Sequence, residues 1–141
     1  MSSITYQILP GPVGECLKPA SYSTTATVPV SPTTSLVFTT GHIGLDLNTG
    51  ELVNSSIEAE FSAIYDCLDA ALKNAGVTGG LFHAYKFVSF LLRAEDERVM
   101  QEVFRKRFPG HSPTWTTVVV KGVLGEGMSA EIAAEGVLFA E

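Results

Sequence analysis

A strand near the end of the chain has mostly apolar residues or threonine on both of its faces. Between Thr114 and Val123 alternate side chains point to opposite sides of an extended backbone, and Lys121 is the only charged residue. A sheet with one solvated face would show polar residues at every second position. The pattern therefore predicts a sheet that is buried on both sides, and it favours an oligomer.

Two amphipathic helices are predicted to cover one face of this sheet. The first has Ser55 as its N-cap with Glu58 three residues later, which is the spacing of a capping box, and Gly76 ends it. The second extends from about Glu95 to Phe108. Each helix carries one apolar stripe with steps of three and four residues, as expected of a helix that packs on a sheet.

The remaining elements are predicted to be strands. Short strands occupy the Ser-, Thr- and Pro-rich first 40 residues, and longer ones cover His83–Arg93 and Ser129–Phe139. The glycine-rich segment Gly122–Gly127 lacks the lysine of a phosphate loop, so we interpret it as a hairpin turn between the last two strands. This order favours a single α+β domain over residues 1–141, with one mixed sheet and two helices on one of its faces.

Charge and composition argue against several classes of partner. Fifteen acidic and nine basic residues give a net charge of −6 without a basic patch, so no nucleic-acid binding is predicted. No apolar run is long enough to span a membrane, no signal sequence is evident, and Cys16 and Cys67 are expected to be free thiols of a cytoplasmic protein. No metal site is predicted, because the three histidines are scattered: His42, His83 and His111.

Two residues stand out as candidates for function. Glu131 lies inside the last predicted strand, where a carboxylate must be solvated or paired. From composition alone, a solvated side chain that faces outward is the favoured interpretation. Trp115 is the only tryptophan and begins the penultimate strand, where a core position is the usual assignment. Neither residue identifies a function by itself.

Taken together, several segments resemble the Rid (YjgF/UK114) family between about Tyr22 and Phe139. They are Phe38–Asp46, Asn48–Val53, Ile57–Glu60, Pro113–Val118 and Glu131–Val137. The resemblance implies a chorismate-mutase-like α+β fold and a homotrimer with three clefts between its subunits. Members with imine-deaminase activity hydrolyse 2-imino or enamine acids without a cofactor. In them an arginine clamps the substrate carboxylate and a glutamate on the last strand positions the water.

The family's site residues can be carried over one at a time. Glu131 matches the glutamate, which makes it the candidate catalytic residue. The other positions that correspond to the family cleft are expected to contact a small-molecule ligand between subunits: Tyr22, Thr40, Gly41, Gln101 and Thr117.

The departure from the family is Trp115, which replaces the arginine of a Pro-Ala-Arg-Ser motif. An indole has one N–H donor and no charge, so it cannot make the bidentate contact of a guanidinium with a carboxylate. Lys121 lies roughly 20 Å further along the strand. Arg93 and His111 are the candidates to replace the missing cation, and the sequence does not decide between them.

We therefore predict a trimeric, cofactor-free enzyme of the Rid superfamily in which Glu131 acts as general acid and base. The reaction would be hydrolysis, tautomerisation or cyclisation at an imine, enamine or enol carbon. Trp115 would offer a flat surface to an aromatic or extended small molecule. Two alternatives stay open: a non-catalytic trimer that binds a metabolite or a protein, and a 2-imino-acid deaminase with a displaced cationic anchor.

Overall fold

The computed structural model describes residues 3–140, which form one mixed six-stranded sheet with helices on one side. The strand order is β1-β2-β3-β6-β4-β5, and only the β4–β5 pair is parallel. The strands are β1 (Thr5–Gln7), β2 (Thr25–Ser31), β3 (Thr34–Thr39), β4 (Ala84–Leu91), β5 (Thr114–Val119) and β6 (Ala130–Phe139).

Two long helices cover one face of the sheet, as predicted. They are α2 (Ile57–Asn74) and α3 (Asp96–Arg107), and a single short turn of helix, α1 (Pro12–Glu15), precedes them. The α+β fold with a single mixed sheet is confirmed. No helix within residues 3–140 has the length and apolar character that crossing a membrane requires.

The start of α2 differs from the prediction by one residue. The N-cap is Ser56, whose Oγ accepts the N–H of Ala59 at 3.0 Å. The predicted capping box from Ser55 to Glu58 is therefore wrong, because two adjacent serines give the same local signal and the sequence cannot separate them. The predicted stop is confirmed, since Gly76 follows the C-cap residue Ala75 with a φ of 102°.

The core lies between the two helices and the sheet. It includes Phe61, Leu68, Phe87 and Ile132, all of which are fully buried. Burying each such side chain contributes about 1.5–3 kcal/mol relative to leaving it in water. Because Ile132 and its neighbours at every second position of β6 point into this core, the residues between them must point to the other side of the sheet.

The last two strands do not form the predicted hairpin. β6 pairs with β3 and β4, whereas β5 pairs with β4 alone. The glycine-rich segment is therefore part of a loop, residues 120–129, that passes over the end of β4. Glycines predict that the chain reverses, but pairing depends on which strands share a buried face. A loop of this length easily spans the roughly 10 Å between two strands that have another strand between them.

The sheet face opposite the helices is mostly apolar apart from acidic residues of β6, and no element within residues 3–140 covers it. Its side chains are half-buried or exposed, and Val118 at its edge is 40% exposed. They include Leu36, Phe38, Val88 and Phe90. One chain therefore buries only one of the two faces that the strand pattern predicted to be buried.

Candidate functional site

Glu131 projects from the uncovered face of the sheet. It lies on β6 between Ala130 and Ile132, whose side chains are buried in the core, and it is directly opposite Phe90 of β4. Its carboxyl group lies against the backbone of Gly41. A methyl group placed on Gly41 would clash with Oε2 of Glu131 and would lie 2.9 Å from the carboxyl carbon. Only glycine allows this close approach.

The segment that carries Gly41 is fixed to the sheet on both sides of that residue. Thr40 donates its N–H to the carbonyl of Thr24 at 2.9 Å, and His42 exchanges two backbone hydrogen bonds with Ile132 at 2.8 and 3.0 Å. Between them, the N–H of Gly41 donates to no group in the described part of the chain. The N–H of Gly41 is therefore not used within the described residues, and Gly41 itself lies against the Glu131 carboxyl group.

A cavity of about 330 Å³ lies next to this carboxyl group, and we call it the Glu131 cavity. Leu124 and Glu131 also border a second, smaller cavity of about 200 Å³. The Glu131 cavity is lined by Val13, Cys16, Leu17, Tyr22, Thr40, Gly41, His42, Ile43, Leu45, Leu124, Gly125 and Glu131. It brings together four of the predicted site residues: Tyr22, Thr40, Gly41 and Glu131.

A buried histidine that the sequence analysis did not assign to the site holds the Gly41 segment in place. His42 is only 4% exposed, and its Nδ1 lies 2.9 Å from the carbonyl oxygen of Thr40. A carbonyl only accepts, so Nδ1 carries the proton. Burial lowers the pKa of His42, which keeps the ring neutral. Its place directly after Gly41 in the family-like segment was the available sequence signal.

A buried carboxylate from α2, at the end of the family-like segment Ile57–Glu60, holds the start of β6. Oε2 of Glu60 accepts the N–H groups of Ser129 and Ala130 at 2.7 and 3.1 Å. Burial raises the pKa of Glu60, and these two hydrogen bonds act in the opposite direction. Glu60 therefore fixes the backbone directly before Glu131.

Trp115 lies on the opposite face of the sheet from Glu131. Its ring stacks on Phe87 with 4.4 Å between ring centroids and meets Phe104 edge to face at 4.9 Å. Its indole N–H donates to Oγ of Ser89 at 2.7 Å. The donor and one face of the ring are thus used within the chain.

Two further predicted contacts lie on the same side of the sheet as Trp115. Thr117 shares its face of β5 and lies opposite the buried Ser89, and Gln101 is exposed on α3. One chain therefore divides the predicted site into two sets. The Glu131 group is Tyr22, Thr40, Gly41 and Glu131, and the Trp115 group is Gln101, Trp115 and Thr117.

Neither candidate for the missing cation reaches the Glu131 cavity. Arg93 pairs with Glu95 at 2.7 Å on the surface. His111 directs Nε2 to the carbonyl of Ala84 at 2.8 Å and packs near Phe104. No lysine or arginine lines the cavity, and within residues 3–140 no three His, Cys, Asp or Glu side chains gather as a metal site would require.

The sequence model of the family described as Endoribonuclease L-PSP matches residues 17–137. No curated protein sequence matches the chain significantly. Among solved structures, the chain is similar to a Thermotoga maritima protein provisionally described as an endoribonuclease. The two share 28% identity with a TM-score of 0.72, over 82% of this chain and 85% of that one.

Two other solved structures carry the family's other names. RidA from the Antarctic bacterium Psychrobacter sp. has 27% identity and a TM-score of 0.68, over 84% of this chain and 88% of that one. A Mycobacterium tuberculosis member of the YjgF/YER057c/UK114 family has 21% identity and a TM-score of 0.73, over 95% and 98%, and shows the fold alone. As the resemblance predicted, the chain belongs to the Endoribonuclease L-PSP family, whose members are also named Rid or YjgF/YER057c/UK114.

Proposed function

We propose that this protein is an enzyme in which Glu131 acts as general acid and base on a small molecule bound between subunits. The reacting group is an imine, enamine or enol carbon. One observation carries the proposal: Glu131 borders a cavity together with Gly41, whose N–H donates to no group within residues 3–140. None of the ion pairs within the described residues includes Glu131, so its carboxyl group is available to a ligand.

The geometry supports hydrolysis most directly. The Glu131 carboxylate takes a proton from a water molecule whose oxygen attacks the imine carbon, and then returns that proton to the nitrogen. The oxygen that becomes bound to carbon can accept the N–H of Gly41. A donor fixed in place before the reaction stabilises such an oxygen without reorganisation. Tautomerisation needs only the proton transfer, without the water.

The two groups of site residues support assembly of the site between chains. Trp115 and Glu131 face opposite sides of one sheet, so they can line a common cleft only when a second chain supplies one of them. The uncovered apolar face and the unpaired outer edge of β5 are surfaces that a second chain would cover. We propose the homotrimer that the family implies, with one cleft at each interface.

The test compares Glu131→Gln with Glu135→Gln. Both residues lie on the same face of β6, but Glu135 accepts the hydroxyl of Tyr85 at 2.9 Å and lies 3.8 Å from the Lys86 ammonium. Imines are generated in the assay by an amine or amino-acid oxidase, and ammonia release is measured. Glu131→Gln should lower turnover by about 10²–10⁴-fold while the trimer persists. Glu135→Gln should leave turnover within about threefold, as expected of a residue outside the cavity.

Two results would contradict the proposal. Unchanged turnover in Glu131→Gln would remove the acid/base role, and a monomer in light scattering of the wild-type protein would remove the shared cleft. A binding protein without catalytic activity is the second candidate, and it is favoured by the Trp115 indole in place of the family's arginine. It predicts that ligand affinity survives in both variants and that neither the wild type nor the variants turn over any imine.

A further inference from the structure

We infer that the Glu131 cavity selects a cationic ligand without a carboxylate, namely an amine or a protonated imine carried on an apolar group. The inference rests on the proposed function, because it names the substrate class for the same carboxyl group. Its support is the charge of the cavity wall and the positions of the cations in the rest of the chain.

The wall of the Glu131 cavity has one acidic side chain and no basic one. Burial lowers the pKa of His42 and keeps the ring neutral, although the hydrogen bond to Thr40 acts in the opposite direction. The other polar side chains of the wall carry the hydroxyls of Tyr22 and Thr40 and the thiol of Cys16. The rest of the wall is apolar: Val13, Leu17, Ile43, Leu45 and Leu124. Such a surface matches a ligand with an apolar body and one positive group.

Most cations of the chain are already paired with carboxylates elsewhere. The sequence has nine lysines and arginines. Six of them form ion pairs: Lys18, Lys73, Lys86, Arg93, Arg98 and Arg107. Arg105 and Lys106 lie in the last turn of α3. The residues that a second chain would bring through the Trp115 group are uncharged, so they add no anchor for a carboxylate.

Two cations that form no ion pair within the described residues could challenge this inference: Arg105, one helical turn after Gln101 on α3, and Lys121. Lys121 does not line either cavity, but its neighbours Val120 and Gly122 line the smaller one beside Glu131. A long side chain can extend several ångströms from its backbone. Lys121 therefore provides a discriminating variant, because an anionic ligand held in this region would depend on it.

The chemistry of a protonated imine agrees with this wall. Water adds to the carbon, the electrons of the C=N double bond move to nitrogen, and Glu131 passes the proton of the water to that nitrogen. Glu131 then takes the proton of the new hydroxyl as the carbonyl forms and the C–N bond breaks. The products are a ketone or aldehyde and ammonia together with one proton, so iminium and water give carbonyl and ammonium.

The test uses three probes that differ in one group at a time. They are 2-phenylethylamine, phenylalanine, which adds a carboxylate to that amine, and 3-phenylpropanoate, which has the carboxylate without the amine. Calorimetric titration of the full-length protein should show that the amine binds about 30-fold or more tightly than either carboxylate, the range expected when a close charge pair is made or lost. Glu131→Gln should abolish this preference, whereas Lys121→Met should leave it unchanged.

The outcomes separate this inference from the proposed function. Tighter binding of 3-phenylpropanoate that is lost in Lys121→Met would overturn the cationic selectivity and identify Lys121 as an anchor. No measurable binding of the amine at about 10 mM would also overturn it, because a carboxylate–ammonium pair in an apolar cavity should reach millimolar affinity. Amine preference that depends on Glu131 without turnover of any imine would support the inference and contradict the enzyme.

A turnover comparison completes the test. The imines of 2-phenylethylamine and phenylalanine, generated by an amine oxidase and an amino-acid oxidase, differ only in the carboxylate. Faster hydrolysis of the imine without the carboxylate supports the inference. Faster Glu131-dependent hydrolysis of the imino acid overturns it while the proposed acid/base function stands.

Discussion

Replacing Gly41 with alanine should displace the Glu131 carboxyl group and leave the stability of the fold almost unchanged. The added methyl group would overlap Oε2 of Glu131 and lie 2.9 Å from its carboxyl carbon, whereas ordinary contacts of such atoms start near 3.4 Å. The φ of Gly41 does not lie in the left-handed region, so the backbone can accept alanine. Relief of the overlap therefore requires the carboxyl group to move by roughly 0.5–1 Å.

The expected effects on activity and stability differ in size. A displacement of about 1 Å at a reacting group lowers turnover by about 10²-fold. Stability should change by less than about 1 kcal/mol, because the overlapping atoms are the end of a flexible side chain that can change rotamer. Alanine also restricts the unfolded chain, which offsets about 0.4–1 kcal/mol of that cost.

Gly122→Ala is the matched control, because a methyl group there meets no atom within 4 Å. Turnover of the best imine substrate, thermal unfolding and light scattering are measured on the same preparations. We expect Gly41→Ala to lose turnover with its melting temperature and trimer intact, and Gly122→Ala to retain all three. Full activity in Gly41→Ala would refute the claim that the carboxyl group must lie against this glycine, and equal losses in both variants would refute displacement as the cause.

Three further predictions follow from the contacts described above. Trp115→Arg should lower the free energy of unfolding by about 2–4 kcal/mol, because it removes the stack on Phe87 and the hydrogen bond to Ser89. Calorimetric titration should also show that the two carboxylate probes bind this variant about tenfold or more tightly than they bind the wild type, and unchanged carboxylate affinity would mean that Trp115 does not reach the cleft. Leu124→Ser should change stability by less than about 0.5 kcal/mol, because Leu124 is 96% exposed. The same variant should bind 2-phenylethylamine more weakly in calorimetry, and unchanged affinity for this amine would mean that Leu124 is not part of the binding surface. Burial lowers the pKa of His42 from 6.5, so as the pH drops below about 6.5 the imidazole gains its second proton more readily in the unfolded chain, and stability should fall. The difference in melting temperature between the wild type and His42→Asn should therefore change by several degrees from pH 7.5 to 5, and a constant difference would contradict the neutral, buried ring.

Glu60, whose pKa is raised by burial, changes stability with pH in the opposite direction to His42. The effect of His42 is therefore measured as a difference between two proteins and not from the stability curve of the wild type alone. The folded chain holds the Glu60 proton more tightly than the unfolded chain does, so this group adds stability as the pH falls through its raised pKa towards 4.5. Both proteins contain Glu60, and its contribution cancels in their difference.

The local signals of the sequence predicted most of the secondary structure. Apolar stripes with helical spacing located α2 and α3, and Gly76 marked the end of α2, because these signals depend on neighbours a few residues away. The predicted strand Ser129–Phe139 is confirmed as β6, which carries Glu131. The resemblance to the family then identified Tyr22, Thr40 and Gly41, which the structure places with Glu131 around one cavity.

Only the tertiary structure decided how those elements combine. The glycine-rich segment reads as a hairpin turn in the sequence, yet β4 lies between β5 and β6, because strand pairing follows the burial of whole faces and not the composition of one loop. The sequence named Trp115 and Glu131 as residues of one cleft between subunits, and the structure shows that they occupy opposite faces of the sheet within one chain. The two faces depend on how β4, β5 and β6 pair, which neither strand reveals by itself. The contacts of His42 with Thr40 and of Glu60 with the start of β6 join residues that no local pattern connects. The sequence thus determined the elements and their buried faces, and long-range packing determined the site.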